Sequence, residues 1–260
     1  MATVFITGAG SGIGKELTKL FAEKGYDLIL LSKTMKKLEE IKREVENRFS
    51  IECKLIECDL GNIENIYKTG INEIIGDSIP DILINCAGIG KISKVENLTV
   101  EEELQMINVN FVSPVILSRL FLKNFLKMEK GTIINICSMA SLYPHPYMSA
   151  YSASKAGLFS YSLAIGEEIK KEKPEIRILS LCLGAVSTGF IPEDIRKKFG
   201  KIMRYEMSPE KAAKKIIRAY EENRKFAIIG TGNKILFKLL QLFPLTVRIK
   251  TIEKFLRRGL

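Results

Sequence analysis

The chain has 260 residues, 46% of them hydrophobic, and carries 40 Lys/Arg against 30 Asp/Glu for a formal charge of +10. That length and apolar content allow a sizeable core and exclude a disordered chain. Five scattered cysteines and a single histidine argue against a zinc site or a disulfide framework, so no metal is expected.

The first strand is expected at residues 2–7, a short β-branched run that leads into Thr7-Gly8-Ala9-Gly10-Ser11-Gly12-Ile13-Gly14. Residues 15–24 then place Leu17, Leu20 and Phe21 at helical spacing. Strand, glycine turn and helix N-terminus form the setting a nucleotide phosphate needs. Backbone N–H groups approach it closely and the helix end favours its charge. Because residues 2–7 run straight into this motif, no secretory leader is expected, and the expected compartment is the cytoplasm. No run reaches the ~18 apolar residues that suggest a membrane span.

A second strand follows at 27–31, a charged amphipathic helix at 36–49, and a third strand at 53–58 that ends in Asp59-Leu60. Residues 62–76 read as helical, and a fourth strand at 81–84 ends in Asn85-Cys86-Ala87-Gly88. A long helix is expected over about 100–128, a fifth strand at 131–137, a helix at 150–171, and a sixth strand at 176–182 followed by Leu183-Gly184-Ala185-Val186-Ser187-Thr188. Residues 189–207 are expected to be irregular, with a helix at 209–223 and a seventh strand at 226–229 behind them. This alternation implies an α/β, Rossmann-type doubly wound parallel sheet of about seven strands with helices on both faces. Every motif falls just after a strand, which is where such sheets bind ligands. The expected organisation is one domain over 1–232, including a substrate loop at 189–207, and a basic amphipathic helical tail over 233–260.

The chemistry centres on 138–155. Tyr151 and Lys155 are four apart, so one helix face carries both, a turn apart. A nearby ammonium favours a phenolate and is expected to pull the phenol pKa down toward neutrality. Ser138 ends the fifth strand and places a hydroxyl where a carbonyl oxygen can sit beside that phenol.

Thr7-Gly-x-x-x-Gly-Ile-Gly14, Asp59-Leu60, Asn85-Cys-Ala-Gly88, the Asn110 region and Ser138 with Tyr151-x-x-x-Lys155 agree in kind and order with one family. Over residues 7–188 the chain resembles a single-domain short-chain dehydrogenase/reductase. The likeness implies hydride transfer between a nicotinamide cofactor and a carbonyl or secondary alcohol. It makes Tyr151 the proton donor and acceptor, Lys155 its tuner and a ribose contact, Ser138 the holder of the substrate oxygen, and Asn110, preferred over its neighbour Asn108, the anchor of a proton relay. It assigns the cofactor to Gly8, Ser11, Gly12, Ile13, Gly14, Ser32, Lys33, Asp59, Leu60, Asn85, Ala87, Gly88, Gly184, Val186 and Thr188, together with Tyr151 and Lys155. Two positions depart from the usual pattern: Cys86 stands where the family has a second Asn, and Leu183 where it has Pro. Leu31-Ser-Lys-Thr34, Pro144-x-Pro146 and Ala185-Val-Ser-Thr188 are similar to a branch containing hydroxysteroid dehydrogenases and long-chain 3-oxoacyl-CoA reductases. A homodimer or homotetramer is implied by the same likeness.

An NAD site of this type ends its second strand in an acid. Here that stretch is Ser32-Lys33-Thr34, so NADP (NADPH) is expected in preference to NAD. Lys33 reads either as a 2′-phosphate contact or as a solvated loop lysine. Tyr143, His145, Phe190, Ser138 and Tyr151 are the expected substrate contacts, although a lone histidine between two prolines, as His145 is, is usually an exposed loop residue. Phe190, Phe199, Met203 and Met207 read equally as a lid over an apolar substrate and as core packing. A non-catalytic nucleotide-binding regulator with the same fold is the alternative function.

Charge is uneven: residues 196–260 hold 18 Lys/Arg against 5 Asp/Glu, and residues 1–195 hold 22 against 25. Basic and apolar residues interleave over 233–258, with Pro244 splitting two expected helices. That pattern gives no nucleic-acid groove. It fits peripheral membrane contact, and equally a stripe packed on the domain or on a partner subunit.

Overall fold

The computed structural model describes residues 2–71, 74, 79–200 and 206–260. Met203 and part of the helical stretch expected over 62–76 lie outside them. The strands are β1 (Thr3–Thr7), β2 (Asp27–Ser32), β3 (Cys53–Glu57), β4 (Ile82–Asn85), β5 (Gly131–Ser138), β6 (Ile176–Leu183) and β7 (Phe226–Ile229). They form one parallel sheet in the order β3-β2-β1-β4-β5-β6-β7. The chain winds outward in one direction from β1 to β3 and in the other from β4 to β7. Between β1 and β4 lies the switch point at which such a sheet opens a ligand crevice.

The helices are α1 (Gly12–Glu23), α2 (Met35–Glu46), α3 (Ile63–Lys68), α4 (Val100–Ile107), α5 (Ser113–Met128), α6 (Ser149–Lys170), α7 (Glu193–Phe199), α8 (Pro209–Glu221), α9 (Thr231–Gln241) and α10 (Leu245–Leu256). Side-chain alternation along each strand divides the core into two layers. Val4 and Ile6 of β1 join Leu17, Phe21, Leu38 and Ile216 on one face, whereas Phe5 joins Leu117, Phe121 and Phe125 on the other. Phe5, Phe121 and Phe125 form an edge-to-face series with centroids 5.2 and 5.8 Å apart. Burying each such ring contributes about 1.5–3 kcal/mol.

α4 and α5 are joined by a π-turn at Asn108–Val112 and read as one helix, Val100–Met128. That helix is long and apolar enough to cross a membrane, but Leu117, Phe121, Leu122 and Phe125 are spent on the sheet. α7 corrects the expectation of irregular backbone over 189–207. Pro192 precedes it, Glu193 and Asp194 open it, Arg196, Lys197 and Lys198 close it, and Gly200 follows with φ +57°. Acids at the N-terminus and bases at the C-terminus complement the helix dipole, which offsets the short length.

α9 and α10 meet at Pro244, where the proline stops one helix and caps the next. Ile252 and Leu256 of α10 are buried with Phe199, Tyr143 and Met148. Tyr143 Oη donates to the Phe237 carbonyl at 3.1 Å, and Tyr147 Oη donates to Glu253 at 2.8 Å. The tail stripe therefore does pack on the rest of the chain, along one side.

Candidate active site

The carboxyl ends of β1 to β6 open into one cavity of about 970 Å³. Its nucleotide end is framed by backbone. Thr7 Oγ1 closes β1 by accepting from the N–H groups of Cys86 and Ala87 at 3.0 Å each, which pins the turn after β4 against the glycine loop. Gly12 takes φ +52°, and a Cβ there would lie 2.9 Å from Thr188 Cγ2. Glycine is thus required for the loop after β1 to reach the loop after β6. That second loop lacks the usual proline but is stitched from below: Met207 N–H donates to Ala185 O at 3.1 Å, and Ser187 N–H to Met207 O at 3.0 Å.

Gly8, Ser11, Gly12, Ile13, Gly14, Ser32, Lys33, Asp59, Leu60, Ala87, Gly88, Gly184, Val186 and Thr188 all line this cavity, as do Ser138, Tyr143, His145, Tyr151, Lys155 and Phe190. Asn85 and Asn110 do not. Asn85 shares the strand parity of Leu83, so its side chain points into the layer under α5. There its Nδ2 donates to Asn135 Oδ1 at 2.8 Å and to Ser118 Oγ at 3.3 Å. The cavity wall at this level is instead Cys86, whose thiol burial pushes up to about 12 and keeps neutral, with Lys155 acting in the opposite direction.

At the end of β2, the Lys33 ammonium sits 2.6 Å from Asp59 Oδ2. Burial acts to raise the Asp59 pKa, but Lys33 and the Gly61 N–H together hold it below the usual carboxylate value. No carboxylate occupies residues 32–34. Lys15 lies outside the cavity, 3.9 Å from Glu44.

Deeper in, α6 carries Tyr151 and Lys155 beneath the end of β5. The Lys155 ammonium donates to the Ile136 carbonyl at 2.9 Å. Burial pushes the Tyr151 phenol up to about 12, and the neighbouring Ser138 hydroxyl acts in the opposite direction. The lowered phenol pKa expected from the Tyr-Lys spacing is therefore corrected here. Desolvation of the phenol is the leading cause, Cys137 and Cys182 act in the same direction and Ser138 opposes them, and burial lowers the Lys155 pKa as well. Phe190 covers the phenol with ring centroids 5.3 Å apart. Gly90 makes room for both, since a Cβ there would lie 2.4 Å from Phe190 Cζ and 3.0 Å from Tyr151 Cδ2.

The two candidate asparagines separate clearly. Asn108 Nδ2 donates to Gly61 O at 2.9 Å, away from this cluster. Asn110, in the π-turn, accepts from Ile89 N–H at 3.0 Å and donates to Ile89 O at 2.8 Å and Ser154 Oγ at 3.1 Å. A Cβ on Gly88 would lie 3.3 Å from Asn110 Oδ1 and 3.4 Å from Lys155 Nζ, so both groups flank one point.

Beyond Tyr151 the cavity becomes apolar. Ile92, Met139, Met148, Phe199, Leu236, Leu240, Ile252, Phe255 and Leu256 line it. Sequence reasoning assigned none of these to the substrate, apart from Phe199 as one of two open readings. The signal was the amphipathic spacing over 233–258, which marks an apolar stripe but not what it faces. Met207 serves the loop stitch described above. His145 Nδ1 lies 2.8 Å from Tyr143 O; burial lowers its pKa, with the bond to that carbonyl acting in the opposite direction. Glu206 also lines the cavity and pairs with Arg196 at 2.5 Å.

Residues 2–198 match the family model described as short chain dehydrogenase. The chain belongs to the short-chain dehydrogenase family. It is 35% identical over 176 residues to human 17-beta-hydroxysteroid dehydrogenase type 3, covering 67% of this chain and 56% of that protein. It is also 35% identical over 176 residues to a very-long-chain 3-oxoacyl-CoA reductase of Anas platyrhynchos, covering 66% and 56%. The chain thus spans little more than half the length of these relatives. A short-chain dehydrogenase from Sphingobium yanoikuyae, solved in complex with NADPH, superposes with a TM-score of 0.80 at 23% identity, covering 93% of this chain and 92% of the other. The likeness to the hydroxysteroid dehydrogenase and 3-oxoacyl-CoA reductase branch is carried by the first two.

Proposed function

We propose that the protein is an NADPH-dependent oxidoreductase that interconverts an apolar carbonyl compound and its secondary alcohol. The observation that carries this reading is a continuous cavity. It runs from the glycine loop, past Ser138, Tyr151 and Lys155, into a chamber lined by aliphatic and aromatic side chains.

The residues fit a phosphorylated dinucleotide. The N-terminus of α1 and the loop from Gly8 to Gly14 suit its pyrophosphate, and Ser32 and Lys33 suit a 2′-phosphate where a carboxylate would oppose it. When bound, the nicotinamide supplies or accepts the hydride. The rest falls to the chain. Ser138 Oγ donates to the substrate carbonyl oxygen and holds it beside Tyr151. The Tyr151 phenol, protonated at neutral pH, gives its proton to that oxygen as it becomes the alcohol oxygen. The Lys155 ammonium stabilises the phenolate left behind and binds the ribose. Asn110 clamps Ile89, which holds the loop beside Gly88 and Lys155 in place for proton return. Phe190 and the apolar chamber exclude water from the phenol, which keeps it an acid. By the family likeness α4, α5 and α6 pair subunits in a homodimer or homotetramer, and Leu104, Leu126 and Leu163 remain exposed on these helices.

The test is turnover of a graded panel of ketones with NADPH, followed at the nicotinamide absorbance. We expect kcat/KM to rise with the apolar size of the ketone. NADPH binding without turnover of any ketone overturns the reading in favour of a non-catalytic nucleotide binder.

A further inference from the structure

The geometry points to the outward face of the α9–α10 hairpin as a docking surface for an anionic lipid bilayer, through which the chamber draws its substrate. Only the second half of this inference rests on the oxidoreductase reading above.

α9 is apolar on two sides, which a helix packed against one neighbour does not require. Phe237 and Leu240 turn inward, toward Tyr143 and the chamber. Ile235 and Leu239 of α9, with Leu242 and Phe243 just after it and Leu245 at the start of α10, are between 50% and 77% exposed. Contiguous exposed side chains of this size mark an interaction surface.

Charge selects the partner. Residues 231–260 hold seven Lys/Arg and one Glu. Glu253 accepts the Tyr147 hydroxyl at 2.8 Å and lies 3.9 Å from Arg257, and Arg248 turns inward to the Phe243 carbonyl and the Tyr143 ring, which leaves Lys234, Lys238, Lys250, Lys254 and Arg258 exposed. An apolar ridge fringed by cations suits an anionic lipid surface, where acyl chains receive the ridge and headgroups receive the charges. A second copy of the chain would bring like-charged faces together, which opposes pairing through this surface.

The same face holds the rim of the chamber. Leu236 is 50% exposed and also lines the cavity. Thr251, on α10, is exposed and lines the cavity too. A substrate dissolved among acyl chains would therefore enter between α9 and α10 without crossing water.

The experiment uses the full chain and the double variant Leu242→Ser with Phe243→Ser, both positions being exposed enough to spare the fold. Each is sedimented with phosphatidylcholine vesicles and with vesicles containing phosphatidylserine. The full chain should pellet with the phosphatidylserine vesicles at low salt and release as salt rises. The double variant should bind about tenfold more weakly. Turnover of a water-soluble ketone should be equal in the two proteins, and turnover of a long-chain ketone delivered in vesicles should fall in the variant. A full chain left in the supernatant, or a variant that pellets as well as the full chain, overturns the docking surface. So does a variant that changes only the oligomer size, because the face then joins copies of the chain. Vesicle binding without turnover of either ketone leaves docking standing and removes the enzymatic reading alone. Equal loss on both ketones overturns entry through the hairpin.

Discussion

The two ends of the cavity are built differently. At the nucleotide end, Gly8, Ser32, Asp59, Ala87 and Gly184 each lie within two residues of a strand terminus. Their positions follow from the sheet, and what they offer is mostly backbone. At the substrate end, the walls are side chains of Ile92, Phe199, Leu236, Leu240, Ile252 and Phe255, brought together from distant parts of the chain. The first end is fixed by hydrogen-bonded strand register, while the second is held by apolar contact and a few hydroxyl latches. Substitutions at the first should therefore act on binding or chemistry as a step, and at the second should grade the substrate.

The largest expected effect falls where the two ends meet. Tyr151→Phe removes the hydroxyl proposed as the proton donor and leaves the ring in place, so turnover should drop by about 10²–10⁴-fold. NADPH affinity, read by quenching or protection of its fluorescence, should stay near that of the parent. Retention of more than a tenth of the parent rate would sink the role given to Tyr151. Lys155→Ala should lose affinity as well as rate, because its ammonium is buried against the Ile136 carbonyl and close to Gly88 at the nucleotide end.

Stability separates the sheet from the chamber. Phe121 is fully buried between the sheet and α5, and Phe121→Ala should cost about 3–5 kcal/mol in denaturant unfolding. Leu240 is half-buried on the chamber wall, so Leu240→Ala should cost no more than about 1.5 kcal/mol. Its main effect should be a shift of kcat/KM toward bulkier ketones. If Leu240→Ala unfolds the protein as readily as Phe121→Ala, the chamber wall is core and the contrast between the two ends fails.

The pH profile probes the water exclusion supplied by the far end. Burial raises the Tyr151 pKa, so the phenol is in its acid form throughout the neutral range. Carbonyl reduction should be flat there and decline only as alkaline pH removes the phenolic proton. Alcohol oxidation needs the base form and should rise over the same alkaline range. Phe190→Ala opens the phenol to water and weakens the desolvation that raises its pKa. Both limbs should then move to lower pH. Limbs that stay in place in Phe190→Ala would mean that desolvation by this ring does not set the titration.

Sequence and structure agree most closely where local pattern decides. The strands fall within a residue or two of their expected places, because most are apolar runs buried on both faces, which leave little choice of boundary; β3, at the sheet edge, is half exposed. Helix α7 replaces the irregular backbone expected over 189–207, and its proline, first-turn acids, last-turn bases and terminal glycine are all present in the sequence. Asn85 was assigned to the nucleotide end by likeness, yet the parity of Ile82, Leu83 and Ile84 already turned it toward the other layer. The Tyr151 pKa was not legible, because an i,i+4 lysine is a local feature and burial is a tertiary one. The chamber was not legible either. Its walls depend on how α9 and α10 fold back, and amphipathic spacing states only that some face will be covered.

The smallest expected effect concerns the cofactor's 2′-phosphate. Lys33 stands at the end of β2, where the chain has no acid, but its ammonium is engaged by Asp59 at 2.6 Å and its side chain is 66% exposed. An exposed pair of this kind contributes up to about 1 kcal/mol and weakens with salt. Exchange of Asp59 for a phosphate partner should therefore yield a modest gain. Lys33→Ala should reduce the preference for NADPH over NADH by roughly fivefold at low salt and by less at high salt. Asp59→Asn should act in the opposite direction on the phosphate, by freeing Lys33 from its competitor. If kcat/KM favours NADH in the parent protein, the lysine is a surface residue and Ser32-Lys33-Thr34 does not select the cofactor. If NADPH is preferred and Lys33→Ala leaves that preference intact, selection comes from the absence of an acid there, and Thr34→Asp becomes the substitution that should reverse it.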